Sequence, residues 1–330
     1  MDLQHQRVLV TGADGFIGSH LVELLVSKCA HLRALIQYNS FNHWGWLDGL
    51  PGLRDVEVVA GDIRDGHFCD ALVTDIDVIF HLAALIPIPY SFRAPESFVD
   101  TNVKGTLNLC LAARAHGVQR FIQTSTSEVY GTAQYVPIDE RHPLSPQSPY
   151  SATKIGADAI AMSFFHAFKL PIVIARPFNT YGPRQSARAV IPTIITQLAA
   201  GSSEVKLGDV TTTRDFTYVE DTCGGLLAVS TLDNGIGEVF NIGSNDEIAI
   251  GNLVALIGDV IGVRAMPVVD AERFRPGTSE VARLRCDNTK LARASSFRPA
   301  VPLTEGLART VRWFQDSANL NRYKTDLYNV

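Results

Sequence analysis

The chain has 330 residues, 29 Lys and Arg against 34 Asp and Glu, 46% hydrophobic residues and a formal net charge of −5. That length allows one large unit or two modest ones with ample core, and the composition is that of an ordinary globular protein. The acidic balance leaves no electrostatic footprint for nucleic acid. Cysteines 29, 69, 110, 223 and 286 are scattered, with no Cys-x-x-Cys pair, and read as small buried apolar side chains in a reducing compartment. The first residues lack the apolar core of a signal peptide, and no run reaches membrane-spanning length. A cytoplasmic location without membrane contact is therefore expected.

In chain order, short apolar runs at 7–11, 32–36, 56–60, 78–82, 120–125 and 172–176 predict strands, with helical patterns at 18–29, 102–116 and 151–168 between them. Val- and Ile-rich strands alternating with helices predict a parallel, doubly wound sheet whose ligands bind beyond the carboxyl ends of the strands. After Pro177 the rhythm loosens: helix 190–201, strand 214–218, helix 221–232, then a strand at 238–242 that returns to the sheet. Further helices are expected near 251–260 and 303–317. The expected organisation is α/β, with residues 1–178 plus about 214–245 in a dinucleotide-binding (Rossmann) domain. Residues from about 179–213 plus 246–330 would form a smaller mixed α/β substrate domain.

Gly12, Gly15 and Gly18 lie between the first strand and the first helix. Glycines there permit a tight turn and let the backbone N–H groups of Phe16 and Ile17 approach a pyrophosphate at the helix N-terminus. Asp62, followed by Ile63, reads either as a partner for an adenine amine or as a helix N-cap. Leu82, Ala83 and Ala84 place small groups where backbone lies close to a ligand, and His81 reads as a packing or hydrogen-bonding residue. The second strand ends Gln37-Tyr38-Asn39, with neither an acid for a ribose hydroxyl nor an arginine for a 2′-phosphate, so NAD and NADP both stay open.

Ser125-Thr126-Ser127-Glu128 precedes Tyr150-Ser151-Ala152-Thr153-Lys154. A Tyr four residues before a Lys puts phenol and ammonium on one helix face, where the ammonium favours phenolate. Glu128 adds a second base that simple alcohol oxidation does not need. These segments resemble the extended short-chain dehydrogenase/reductase family in its nucleotide-sugar branch. The likeness extends through Asn102-Val103-Lys104-Gly105-Thr106, the 176–184 segment from Arg176 to Arg184, and Arg214-Asp215-Phe216-Thr217-Tyr218. Residues 125–131 resemble the active-site strand of sugar-nucleotide 4,6-dehydratases. Their Thr126-Ser127-Glu128 follows the GDP-mannose type rather than the Thr-Asp-Glu of the dTDP-glucose type. Segments 38–42, 44–48 and 187–193 are similar to the GDP-N-acetylglucosamine 4,6-dehydratases of legionaminic acid synthesis.

The resemblance implies a homodimer and a tightly held NAD or NADP, contacted also by Asn102, Tyr150, Lys154 and Pro177. Tyr150 would take the C4 hydroxyl proton, Ser125 and Thr126 would bond that oxygen, and Glu128 would remove the C5 proton. The proton for the leaving C6 hydroxyl would come from Glu128 itself or through Ser127. Asn179 and Val190 resemble substrate contacts. Arg214 and Arg275 resemble diphosphate clamps, the alternative for Arg275 being a solvated surface charge. Arg184 and Arg188 are expected at a phosphate across a subunit boundary, and Trp44 and Trp46 either cover the site or pack a loop.

Overall fold

In the first strand, Val8 and Val10 face one apolar cluster while Leu9 faces another, as the two-residue period of a strand buried on both sides requires. The same split recurs along the chain, with Val78 and Phe80 opposite Ile79, and Val173 and Ala175 opposite Ile172 and Ile174. The computed structural model describes residues 1–324. Its strands are β1 (Arg7–Thr11), β2 (His31–Gln37), β3 (Val56–Gly61), β4 (Val78–His81), β5 (Arg120–Thr124), β6 (Ile172–Pro177) and β7 (Asn179–Tyr181). β8 (Glu204–Leu207), β9 (Thr213–Arg214), β10 (Phe216–Tyr218), β11 (Val239–Ile242), β12 (Ile248–Ala249) and β13 (Met266–Val269) follow. Seven of them form one parallel sheet in the order β11-β6-β5-β4-β1-β2-β3.

The helices are α1 (Phe16–Leu25), α2 (Gly66–Val73), α3 (Ile88–Ser91), α4 (Pro95–Phe98), α5 (Gly105–Ala115) and α6 (Pro149–Phe168). They continue with α7 (Val190–Ala199), α8 (Val219–Thr231), α9 (Ile250–Ile261), α10 (Thr289–Ala294), α11 (Leu303–Gln315) and α12 (Ser317–Leu320). α1 and α8 cover one face of the sheet and α2, α5 and α6 the other, giving the doubly wound Rossmann-like fold. β11 extends the sheet beside β6, while the pairs β10–β7, β12–β9 and β13–β8 form three separate two-stranded ladders.

Three local differences from the expected elements have physical causes. α6 starts two residues early, because Ser148 and Ser151 close a reciprocal capping box with Pro149 at the first helical position. The expected strand 214–218 is two strands, β9 and β10, broken at Asp215. That buried carboxylate accepts from Ser244 N and Oγ, Asn245 N and Cys286 N at 2.7–3.0 Å, which turns the chain. The expected helix at 102 is entered through a π-helical turn, Val99–Lys104. This wider turn aims the Asn102 amide at the loop after β4.

Candidate active site

Gly12 has φ +67°, and a Cβ there would stand 2.8 Å from Ala83 N. The β1–α1 turn therefore lies directly on the end of β4. Thr11 Oγ1 stitches the two together, accepting from Leu82 N and Ala83 N at 3.1 Å each. His81 Nδ1 lies 2.8 Å from the same hydroxyl, and Nε2 lies 3.1 Å from Thr106 Oγ1, which donates onward to Asn102 O. The chain of donors assigns the proton to Nε2. Burial pushes His81 down to about 3, so the ring is neutral and structural.

Gly15 caps α1 without a side-chain hydrogen bond, and the first turn itself holds no acid. Glycine contacts tolerating no Cβ, together with an uncapped helix start at the strand ends, fit a dinucleotide pyrophosphate. Ala84 continues the Leu82–Ala83 edge, and Pro177 ends β6. Beyond β2, Tyr38 is exposed and the Asn39 amide donates to Gln37 and His43 carbonyls; neither an acid nor a cation stands in this stretch.

Several expected cofactor residues sit differently. Asn102 has no spare amide: Oδ1 accepts from Leu85 N at 2.8 Å and Nδ2 donates to Leu85 O and Thr153 Oγ1 at 3.0 Å. It fixes the 82–85 loop against α6. Ile63 turns its side chain into the core beneath Gly105. Asp62 is not the N-cap of α2, a position taken by Asp65. Its carboxylate instead lies in the fork of Arg64, with Oδ2 2.9 Å from Nε.

Thr126 caps the 3-10 turn Ser127–Tyr130, with Oγ1 accepting from Glu128 N at 3.3 Å. This turn buries Ser127 and Glu128 directly after β5. On α6, Tyr150 and Lys154 are one turn apart and both buried. Lys154 Nζ donates to Thr124 O at 2.6 Å. Burial lowers this ammonium to about 8, against the pull of Asp158. The expectation of a phenol lowered by its lysine is not met, because burial pushes Tyr150 up, with Thr126 opposing and the charges of Glu128 and Asp158 adding. Ser125 does not face the cleft. Its Oγ donates to Asp158 Oδ2 at 2.7 Å, and Arg176 Nη2 reaches the same oxygen at 3.2 Å. Asp158 was absent from the sequence expectations, although its place four residues after Lys154 puts it on the Tyr150 face.

Glu128 is not on the surface, and its charge is answered. Arg275 Nη1 stands 3.7 Å from Glu128 Oε2 and Arg275 Nε 3.3 Å from Glu280 Oε2. Glu280 Oε1 is 3.0 Å from Arg214 Nη2. Arg275 is thus no solvated surface charge. Glu280 carried no local sequence signal, because only the fold brings its loop to β9. Asn179, on β7, keeps a buried Oδ1 without a hydrogen-bond partner, and Val190 opens α7. A cavity of about 420 Å³ beside this region is lined by Phe92, Gln147, Ser148, Pro276, Thr278 and Ser279, among others, but not by Tyr150, Lys154 or Glu128.

Arg184, expected across a subunit boundary, instead grips Glu23 of α1 with both Nη atoms, at 2.7 and 3.0 Å. Arg188 is exposed. Trp46 packs against Trp313 and Tyr323, with ring centroids 5.5 and 6.3 Å away, and its backbone N–H donates to Asp14 O of the glycine turn. Trp44 is exposed.

Residues 9–310 match the model of the GDP-mannose 4,6-dehydratase family. The dTDP-glucose 4,6-dehydratase of Streptomyces antibioticus is 36% identical over 94% of this chain and 93% of its own. The low-salt glycan biosynthesis protein Agl12 of Haloferax volcanii is 37% identical over 93% and 98%. The crystal structure of a dTDP-glucose 4,6-dehydratase from Streptomyces venezuelae, solved with NAD, superposes with a TM-score of 0.86 at 31% identity, covering 95% and 98% of the two chains. A UDP-glucuronic acid 4-epimerase from Bacillus cereus gives 0.84 at 29%, covering 94% and 99%. The chain belongs to the GDP-mannose 4,6-dehydratase family, the NAD(P)-dependent nucleotide-sugar 4,6-dehydratase branch of the extended short-chain dehydrogenases.

Proposed function

We propose that the protein converts GDP-N-acetylglucosamine, or a closely related nucleotide-activated hexose, to its 4-keto-6-deoxy form with NAD as resident cofactor, acting in the cytoplasm as a homodimer. The observation that carries the dehydratase reading is Glu128, a buried carboxylate beside Tyr150 that hydride transfer alone does not require. Ser127 in place of an acid, and the likeness of segments 38–48, favour the GDP-sugar over the dTDP-sugar. The choice of NAD leans on the Streptomyces venezuelae relative solved with NAD, since Gln37-Tyr38-Asn39 carries neither the acid nor the arginine that would decide.

The nicotinamide, when bound, supplies the hydride acceptor and donor of a cycle with no net redox change. Tyr150, as phenolate, receives the C4 hydroxyl proton at Oη, with Thr126 hydrogen-bonded to it and Lys154, held on the Thr124 carbonyl one helical turn away, supplying the positive charge that favours the phenolate. Glu128 removes the C5 proton, which the C4 ketone has made acidic. Ser127, buried in the same turn, relays a proton to the departing C6 hydroxyl, or Glu128 returns the one it took. Arg214 and Arg275 hold the diphosphate, and Asn179 and Val190 line the sugar side. Among the described residues, those from about 179–213 together with 246–324 form the substrate-binding part.

Incubation with GDP-, dTDP-, UDP- and CDP-hexoses tests this: the product of a GDP-hexose should be lighter by one water, and mass-neutral products alone would refute it. Arg275 also favours one competing reading. It places beside Glu128 the cation that a UDP-glucuronate decarboxylase needs, and loss of carbon dioxide from UDP-glucuronate would assign that activity instead.

A further inference from the structure

The charged groups at the site form one alternating line, Glu128–Arg275–Glu280–Arg214, with gaps of 3.7, 3.3 and 3.0 Å. Its members differ in contact with water. The side chain of Arg214 is 7% exposed, Glu128 10%, Arg275 21% and Glu280 29%. Two guanidiniums this close repel, and buried positive charge needs an opposite charge nearby. Glu280 provides it, touching both at once. Arg214 cannot follow Glu280 outward, since its Nη1 is fixed on Thr213 O at 2.9 Å. The Glu280 backbone is equally fixed, because its carbonyl accepts from Gln147 Nε2 at 3.2 Å. The Glu280 carboxylate is the member nearest water, and it and the Arg275 guanidinium, which unlike Arg214 is not tied to a backbone carbonyl, are the groups that can shift. Arg275 Nη1 is a buried donor without a hydrogen bond, so a better acceptor than the present carboxylates has a place to bind.

We infer that Glu280 is an internal stand-in for the substrate diphosphate: it bridges Arg214 and Arg275 in the free enzyme and is displaced when a nucleoside diphosphate takes both guanidiniums. The inference rests on the nucleotide-sugar reading of the site. A diphosphate offers more acceptor oxygens than one carboxylate and satisfies both forks together. Drawing Arg275 onto phosphate also takes its charge from beside Glu128, so the carboxylate is released for C5 as substrate arrives. Glu280 thus lowers affinity for ground-state substrate and product while keeping the arginines ordered, and it speeds release of the spent nucleotide.

The test is calorimetric binding of GDP, UDP, dTDP and CDP to the cofactor-loaded enzyme and to its Glu280→Gln variant, with cofactor content and melting temperature as checks on folding. Wild type should bind at least one of the four. Glu280→Gln should bind the same one roughly tenfold tighter, the scale of one charge-assisted contact freed from competition, with a steeper loss of affinity in salt. Unchanged or weaker binding by a folded Glu280→Gln variant would overturn the inference while leaving the nucleotide-sugar reading intact. Failure of wild type to bind any of the four would overturn both. Should the variant not fold, a crystal structure of wild type with the bound nucleotide decides: an open Arg214–Glu280 gap supports displacement, and an intact pair with phosphate elsewhere refutes it.

Discussion

Glu128 and Tyr150 differ in what holds them. Tyr150 is shifted up by burial, with the Thr126 hydrogen bond opposing, so the phenolate that accepts the C4 proton in the proposed cycle needs the positive charge of Lys154, one helical turn away. Burial lowers Lys154 to about 8. Its proton is therefore lost as pH rises through that value, and kcat should fall on the alkaline side there. Titrating kcat against pH with a saturating sugar nucleotide checks this. Glu128 sits in a capped turn beside Arg275, and in the proposed cycle its task comes after oxidation. Glu128→Gln should cut turnover by about a thousandfold and abolish incorporation of solvent deuterium at C5, read by mass spectrometry. His81 gives a stability prediction. Its folded pKa, about 3, lies below the unfolded value near ~6.5. The unfolded chain binds the extra proton between these values, so stability is complete above the higher one and is lost as pH falls through the window. From pH 7 to 5 the loss due to this ring is about 2 kcal/mol, and thermal melts of a His81→Gln variant should show a correspondingly flatter acid limb.

At the scale of elements, what was legible in the sequence depended on range. The parallel strands announced themselves through continuous apolar runs, and the β1–α1 turn through three glycines, because each cause lies within a few residues. Gly12→Ala should cost more than about 1 kcal/mol from its positive φ alone. It should also purify without bound dinucleotide, as the 260/280 nm absorbance ratio will record, since its Cβ meets Ala83 backbone. The break at Asp215 was not legible: its partners Ser244, Asn245 and Cys286 lie far along the chain. Nor was the π turn, which exists to deliver Asn102 to Leu85. Asn102→Ala should leave the Leu85 N–H and C=O unpaired and cost ~1–3 kcal/mol in denaturant unfolding. Cofactor affinity should weaken only as far as the 82–85 loop loosens. Ser125 was misplaced for a similar reason. A strand-end hydroxyl can face either side, and the buried Asp158–Arg176 pair across the sheet end claims it.

Over the whole molecule, the sheet brings residues from distant stretches of sequence to its carboxyl edge. β5 delivers the 126–128 turn, α6 delivers Tyr150 and Lys154, and the loop before α10 swings Arg275 and Glu280 back over them. The return of the chain through β11 to the sheet was expected from its apolar pattern, whereas Arg275 was placed near the diphosphate by resemblance alone and Glu280 was not expected there, as nothing in the 274–280 loop's own residues specifies which strand it meets. Arg184 on Glu23 and Tyr323 on the Gln185 carbonyl tie that later half onto α1 and the chain end. Such ties suit a cycle in which the cofactor must stay between hydride removal and return. The most direct measurement follows the hydrogen itself. With a GDP-hexose carrying deuterium at C4, the account predicts a 4-keto product lighter by one water with the deuterium at C6 of the same molecule. Deuterium remaining at C4 in a product of unchanged composition would contradict it.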